Sequence, residues 1–356
     1  MINRSLPGLF PLDEKKLFRR VLRAAAFNFP GVKREAVIDC VRRVSKGIVS
    51  RLPKVAREAV LEQVCDDVGR FEMISRLAPD CNVVALRVSG MYGVIQSASD
   101  DRAVLMQYAK TGTWAERTND LVTSFFADKA GSYIDIGANI GLTTIPVAQN
   151  PRVRCLAIEP EPRNFANLRA NVAENCRHNN VELRCLALYT KRQKLSFELS
   201  SGNLGDHRLR IGDKIGRIGE ENRATIEVDA VPLDEIAGSL NGPLAVKIDT
   251  QGAEPFVVSG GKKTLSRAGL VISEFWPYGM VRLGGDPEEL IKFFRDQFST
   301  LAIEMEESLV WSKSQCSEAG TVLSPRSSAA VCDQLSALVA AHSDNPEMYL
   351  DVIARR

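Results

Sequence analysis

The chain has 356 residues, 45% hydrophobic and 25% charged, which is ordinary for a globular protein and enough to bury a sizeable core. No run approaches the roughly 18 consecutive apolar residues of a membrane-spanning helix, and the opening MINRSLPGLFPLDEKK lacks the apolar stretch of a secretion signal, so a cytoplasmic location is expected. The net charge of +2 conceals an asymmetry: residues 1–60 carry 14 Lys/Arg against 5 Asp/Glu, which leaves the body mildly acidic.

Residues 1–82 read as a basic helical N-terminal region. Leu17, Val21 and Leu22, then Val37, Val41 and Val44, then Val60, Leu61 and Val64 recur at helical spacing, with Pro30 and Pro53 at the breaks. Such a basic face suits contact with an anionic membrane or a partner protein. Nucleic acid is not expected, because aromatic residues are sparse among the charges and no recognition motif is visible. A bridging segment, 83–130, carries a strand-like VVALRV and a helix through Leu121, Val122, Phe125 and Phe126. The eight cysteines include no CxxC pair, which argues for reduced, mostly buried thiols and against a zinc knuckle.

From 131 to 356 strands and helices alternate as in a Rossmann-like α/β sheet with helices on both faces. Tyr133–Ile136, Val153–Ile158 and a stretch near Val181–Leu186 read as strands. LSFEL and TIEVDAV alternate apolar and polar residues and bracket a loop from Ser201 to Arg223, which predicts a hairpin holding a long loop. Leu244–Ile248 and Leu270–Ser273 are apolar runs suited to strands buried on both faces. Asp286-Pro287-Glu288-Glu289 is a helix start, and TLAIEM, a helix over 328–341 and YLDVIA complete the domain.

In an open α/β sheet a ligand binds beyond the strands' carboxyl ends, where strand order reverses. The first strand ends in Asp135-Ile136-Gly137-Ala138-Asn139-Ile140-Gly141, where Gly137 and Gly141 permit a sharp turn and close approach to a ligand. The second ends in Glu159, where nucleoside sites place an acid for ribose hydroxyls. A dinucleotide fingerprint needs a bare glycine where Asn139 stands, so an NAD-dependent oxidoreductase is disfavoured. A cofactor without phosphates, S-adenosylmethionine, fits better: Asp135 and the turn would hold its methionyl tail and Glu159 its ribose.

The stretches YIDIGANIGLTT, AIEPEPRNFANL, GNLGDHRLR, VDAVPLDEI, VKIDTQGAEPFVVSGG and VISEFWP, spanning roughly Gly131 to Phe298, resemble the FkbM-type methyltransferase family. The resemblance implies a seven-stranded methyltransferase sheet and methyl transfer from S-adenosylmethionine, most often to a hydroxyl of a sugar, glycan or secondary metabolite. It does not cover the basic front, and a catalytically silent scaffold working through that front remains the alternative.

A hydroxyl acceptor must lose a proton, so a general base is expected. His207, Asp249, Glu254 and Glu274 are the candidates, with His207, Asp249 and Glu274 favoured because Glu254 also opens the helix after Asp249, where the dipole favours an acid. Asn203, Asp206 and Arg208 of the long loop, with Trp276, are candidates for holding the acceptor. Asp249 and Glu274 lack a persuasive third ligand, so no metal is assigned.

Overall fold

The computed structural model describes residues 85–201, 203–211, 220–304 and 326–356; the helical region expected over 1–82 lies outside the described residues. The chain divides into two compact units, one ending at Gly112 and the other running from Thr113 to Arg356. In the first, β1 (Ala85–Gly90) and β2 (Gly93–Ala98) pair as an antiparallel hairpin, followed by α1 (Val104–Thr111). The VVALRV pattern corresponds to β1, while β2 and α1 are too short to stand out as periodic runs. The fully buried Asp101 starts α1: its carboxylate accepts from the amides of Ala103, Val104 and Leu105 and from the Ser97 hydroxyl, which satisfies donors the first turn would otherwise leave open.

In the second unit α2 (Glu116–Phe125) leads into β3 (Gly131–Ile136), α3 (Thr144–Ala148), β4 (Val153–Ile158), α4 (Pro162–Asn175) and β5 (Val181–Arg184). An insertion supplies β6 (Ala187–Leu188), β7 (Gln193–Glu198), β8 (Arg208–Arg210) and β9 (Thr225–Val231), and then α5 (Leu233–Ile236). The unit continues through β10 (Leu244–Ile248), α6 (Glu254–Gly260), α7 (Lys262–Leu265), β11 (Leu270–Phe275), α8 (Pro277–Arg282) and α9 (Pro287–Gln297). It closes with β12 (Thr300–Glu304), β13 (Arg326–Ser327), α10 (Ser328–His342) and β14 (Leu350–Arg355). Asp286 caps α9 as its sequence implies, accepting from the Glu288 amide at 3.0 Å.

The main sheet runs β13-β12-β14-β11-β10-β3-β4-β5. From β11 to β5 the strands are parallel, and β14 lies antiparallel between β11 and β12. Seven of these strands form the expected sheet, and β13 adds a two-residue edge. Alternate residues of β3 face opposite ways. Tyr133 therefore packs with Val122, Phe126 and Ala245, while Ile134 and Ile136 pack with Leu156, Val246 and Phe275. Because α2 supplies Val122 to this core, the unit begins at Thr113, ahead of the strand itself. Strand order reverses between β3 and β10, and their register sets Asp135 beside Lys247.

LSFEL and TIEVDAV form the expected hairpin, Phe197 opposite Ile226. Its loop is more than a surface excursion, because β8 folds back on β7, and β6 joins β9 to complete a second, four-stranded sheet. The buried Arg208 donates to Glu198 at 2.7 Å and also reaches Asp206 and Glu220. Arg282 of α8 donates to the other Glu198 oxygen at 2.9 Å, Arg223 pairs with Asp206, and the Tyr278 hydroxyl donates to Glu220. Three guanidinium groups thus balance three carboxylates, the condition under which such charges are tolerated in an interior.

This corrects the expectation for the acceptor side. Arg208 and Asp206 are engaged with internal partners instead of facing outward. Trp276 is 6% exposed, stacks under the Arg208 guanidinium at 5.0 Å and donates its indole N–H to the Pro346 carbonyl, so it packs and does not wall an open pocket. Asn203 alone of that group is exposed. Among the described cysteines Cys155 and Cys332 are buried, Cys176 half-buried and Cys185 exposed.

Candidate active site

The turn after β3 is set by crowding between strand ends. Gly137 has φ +77°, and a Cβ there would lie 1.8 Å from the Asp249 carbonyl oxygen. Its bareness is therefore required by the end of β10, where sequence alone suggested the approach of a ligand. Asn139 takes φ +50°, a left-handed conformation that asparagine tolerates. Its amide donates to Glu159 Oε2 at 2.9 Å, and the Glu161 amide donates to Glu159 Oε1 at 2.9 Å. Burial pushes the Glu159 carboxyl up to about 7, against the lowering effect of these two amides. Asn139 Oδ1 is buried and has no hydrogen-bond partner, an open acceptor in the turn.

Asp135 lies beneath the turn, fully buried. Its Oδ2 accepts from the Thr143 and Thr144 hydroxyls at 2.7 and 2.6 Å, tying the end of β3 to the start of α3. Its Oδ1 stands 3.4 Å from Lys247 Nζ. Nothing in the motif reading singles out Lys247, yet it joins the strand ends: Nζ donates to the Gly137 carbonyl at 2.8 Å and stands 3.3 Å from Asp249 Oδ2. Burial acts to lower its pKa, but Asp249 and Asp135 outweigh that and raise it. The available signal is a lysine inside LAVKI, a strand buried on both faces, where a charge needs opposite charges beside it.

Asp249 and Glu274 lie at the neighbouring ends of the paired strands β10 and β11. The Asp249 side chain is 40% exposed, and its Oδ1 accepts from Gln251 at 2.9 Å. The same Gln251 amide donates to both Glu274 oxygens, at 3.0 and 3.1 Å. Burial, then Asp249, Glu254 and Asp351, raise the Glu274 carboxyl well above its ordinary value. Glu254 is fully buried; its Oε1 accepts from the Thr250 amide and hydroxyl at 2.8 Å each, and its Oε2 has no partner.

His207 is placed differently from the expectation of a base. Its Nδ1 accepts from the Ser200 amide at 2.9 Å, which puts the proton of the neutral ring on Nε2 and leaves that nitrogen a donor. Burial also lowers its pKa.

Glu159 and Glu254 are both pushed up to about 7 by burial, from an ordinary 4.5. The folded state therefore holds protons that the unfolded state releases, and this contribution to stability is lost as pH rises from about 4.5 to about 7. Thermal melts across that window should show wild type losing stability relative to Glu159→Gln/Glu254→Gln; parallel profiles would contradict the assignment.

Parallel strands ending in acids on both sides of a sheet reversal, with one antiparallel strand set between β11 and β12, define a Rossmann-like α/β domain of the methyltransferase kind. Residues 135–299 match the methyltransferase FkbM domain. No curated protein matches the sequence. Among solved structures, the precorrin-6y C5,15-methyltransferase of Geobacter metallireducens GS-15 is 12% identical, with 68% of this chain and 93% of that chain covered and a TM-score of 0.32. SMU.1697c of Streptococcus mutans, solved in complex with SAH, is 12% identical over 68% of this chain and 97% of its own, with a TM-score of 0.34. The SAM-dependent O-methyltransferase of Thermotoga maritima is 11% identical over 68% and 66%, with a TM-score of 0.31. Among the described residues no helix is long and apolar enough to cross a membrane, and no group of three His, Cys, Asp or Glu is arranged to hold a metal.

Proposed function

We propose that the chain methylates a hydroxyl of a small molecule or glycan, with S-adenosylmethionine as methyl donor. The observation that carries this reading is the turn at Asn139, whose amide is already engaged by Glu159. A dinucleotide pyrophosphate needs free turn amides. The turn instead offers acceptors: the unpartnered Asn139 Oδ1, the remaining lone pairs of Glu159 and the part-exposed Asp249. Such a set suits donors, namely ribose hydroxyls and an ammonium. S-adenosylmethionine presents both and, when bound, supplies a methyl group already activated on a sulfonium.

Glu159 would hold the ribose, and Asn139 and Asp249 the methionyl end. Asp135 is enclosed and acts through Lys247, Thr143 and Thr144 to hold the turn in shape. Transfer to a hydroxyl releases a proton, and Asp249 is the carboxylate placed to take it, because its side chain is 40% exposed at the strand end. Asn203, exposed in the insertion, remains available to the acceptor. The excess of Lys/Arg over residues 1–60 supports docking of that front to an anionic membrane or a partner protein.

Calorimetry with S-adenosylhomocysteine tests the cofactor. Wild type should bind it and not NADH, and Glu159→Ala should weaken binding about 10- to 100-fold, the loss of a hydrogen bond to a charged group. Wild type that ignores S-adenosylhomocysteine would overturn the cofactor assignment. Binding without transfer of labelled methyl to any fraction of a cell extract would favour the scaffold.

A further inference from the structure

We propose that Gln251 is a positioning residue for this transfer, its carboxamide bridging Asp249 and Glu274 so that the two strand-end acids work as one proton-holding pair. The inference rests on the methyl-transfer reading above. Gln251 Nε2 donates to Asp249 Oδ1 at 2.9 Å and to the two Glu274 oxygens at 3.0 and 3.1 Å. A carboxamide NH2 has two hydrogens, enough for one on each acid. On the far side Lys247 Nζ lies 3.3 Å from Asp249 Oδ2, so each oxygen of Asp249 has its own donor and the plane of the carboxylate is set.

The backbone is bent to allow this bridge. Gln251 takes φ +56°, a left-handed conformation unfavourable for a glutamine. Both neighbours are clamped. Thr250 donates its amide and its hydroxyl to Glu254 at 2.8 Å each. Gly252 has φ +102°, and a Cβ there would lie 2.5 Å from the carbonyl carbon of Gly279. Strain of this kind persists where surrounding contacts over-determine it, and it gathers at functional positions. Here the strained residue is the one that joins the two acids.

The groups facing Glu274 explain why a neutral donor is needed between the acids. Asp249 on β10, Glu254 on α6 and Asp351 on β14, its partner across the sheet, are all acidic. A carboxylate in place of the Gln251 amide would add repulsion, whereas the amide donates a hydrogen bond to each acid. Glycine or asparagine at 251 accepts the left-handed backbone but lacks a side chain of the same reach.

The test is a 13C carboxyl titration of the full chain without cofactor, with the two acids assigned through Glu274→Gln and Asp249→Asn. In Gln251→Gly and Gln251→Asn the fold should persist and the Glu274 transition should move upward, because a hydrogen bond that lowers it is lost. S-adenosylhomocysteine should still bind, because Glu159 and the Asn139 turn are untouched. An unmoved Glu274 transition in a folded variant would reduce Gln251 to a structural role. If both variants fail to fold, wild type decides: the Gln251 side-chain amide protons should shift with the Glu274 midpoint, and an independent midpoint overturns the bridge. Failure of wild type to bind S-adenosylhomocysteine would instead strike the cofactor reading and leave the titration result standing.

Discussion

Lys247→Met should destabilise the Thr113–Arg356 unit by about 3–5 kcal/mol, the range for removing one partner of a buried ion pair. For a unit of this size that is a fall in Tm of roughly 6–20 °C. The methionine keeps most of the volume of the side chain, so the effect is electrostatic. Asp135, fully buried, would keep only its two threonine donors, and the Gly137 carbonyl would lose its partner. Adding Asp135→Asn should recover part of the loss, since the uncompensated charge disappears with it. Melting of the single and double variants checks this, and a Lys247→Met protein within 1 kcal/mol of wild type by denaturant titration, ~1 kcal/mol being the scale of a neutral hydrogen bond, would refute it.

The second large effect is expected at Arg208. Arg208→Ala removes a guanidinium that touches Glu198, Asp206 and Glu220 and leaves Glu198, fully buried, with Arg282 at 2.9 Å and Arg223 at 3.7 Å. A loss of about 3–5 kcal/mol is expected here too. Its consequences should be local, because this cluster is what ties the insertion to α8. Limited proteolysis should cut the variant within 199–224 faster than wild type, while Glu198→Gln/Arg208→Met recovers resistance. Equal cleavage of variant and wild type would mean that the insertion is held by its sheet alone.

The two positions differ in how far they can be anticipated. The strands β3, β4, β10, β11, β12 and β14 coincide with apolar runs, and the Asp286 cap with its Pro and Glu, because burial and capping depend on neighbours a few residues apart. The acids at the ends of β3, β4, β10 and β11 follow from the same alternation, since a strand's last residue lies wherever the apolar run stops. Arg208 is different. In GNLGDHRLR it looks like a polar loop residue, and only the return of β8 onto β7 encloses it beside Glu198. The same holds for Trp276, an aromatic at a strand end that α8 and the Pro346 carbonyl cover. His207 carries the right chemistry for a base in the sequence, and a single backbone amide redirects it.

The chain's pattern of apolar and polar residues by itself determines the α/β alternation, the turn at Gly137 to Gly141 and the acids that end the parallel strands. These follow from side-chain spacing along a continuous backbone. Tertiary structure alone decides which of the acids are enclosed and which reach outward. Lys247 and the Gly137 carbonyl are 110 positions apart, and Gln251 and Glu274 are 23 apart. Such pairs are made by strand order and register, and a charge's fate depends on the partner that the register puts beside it, which no local pattern encodes.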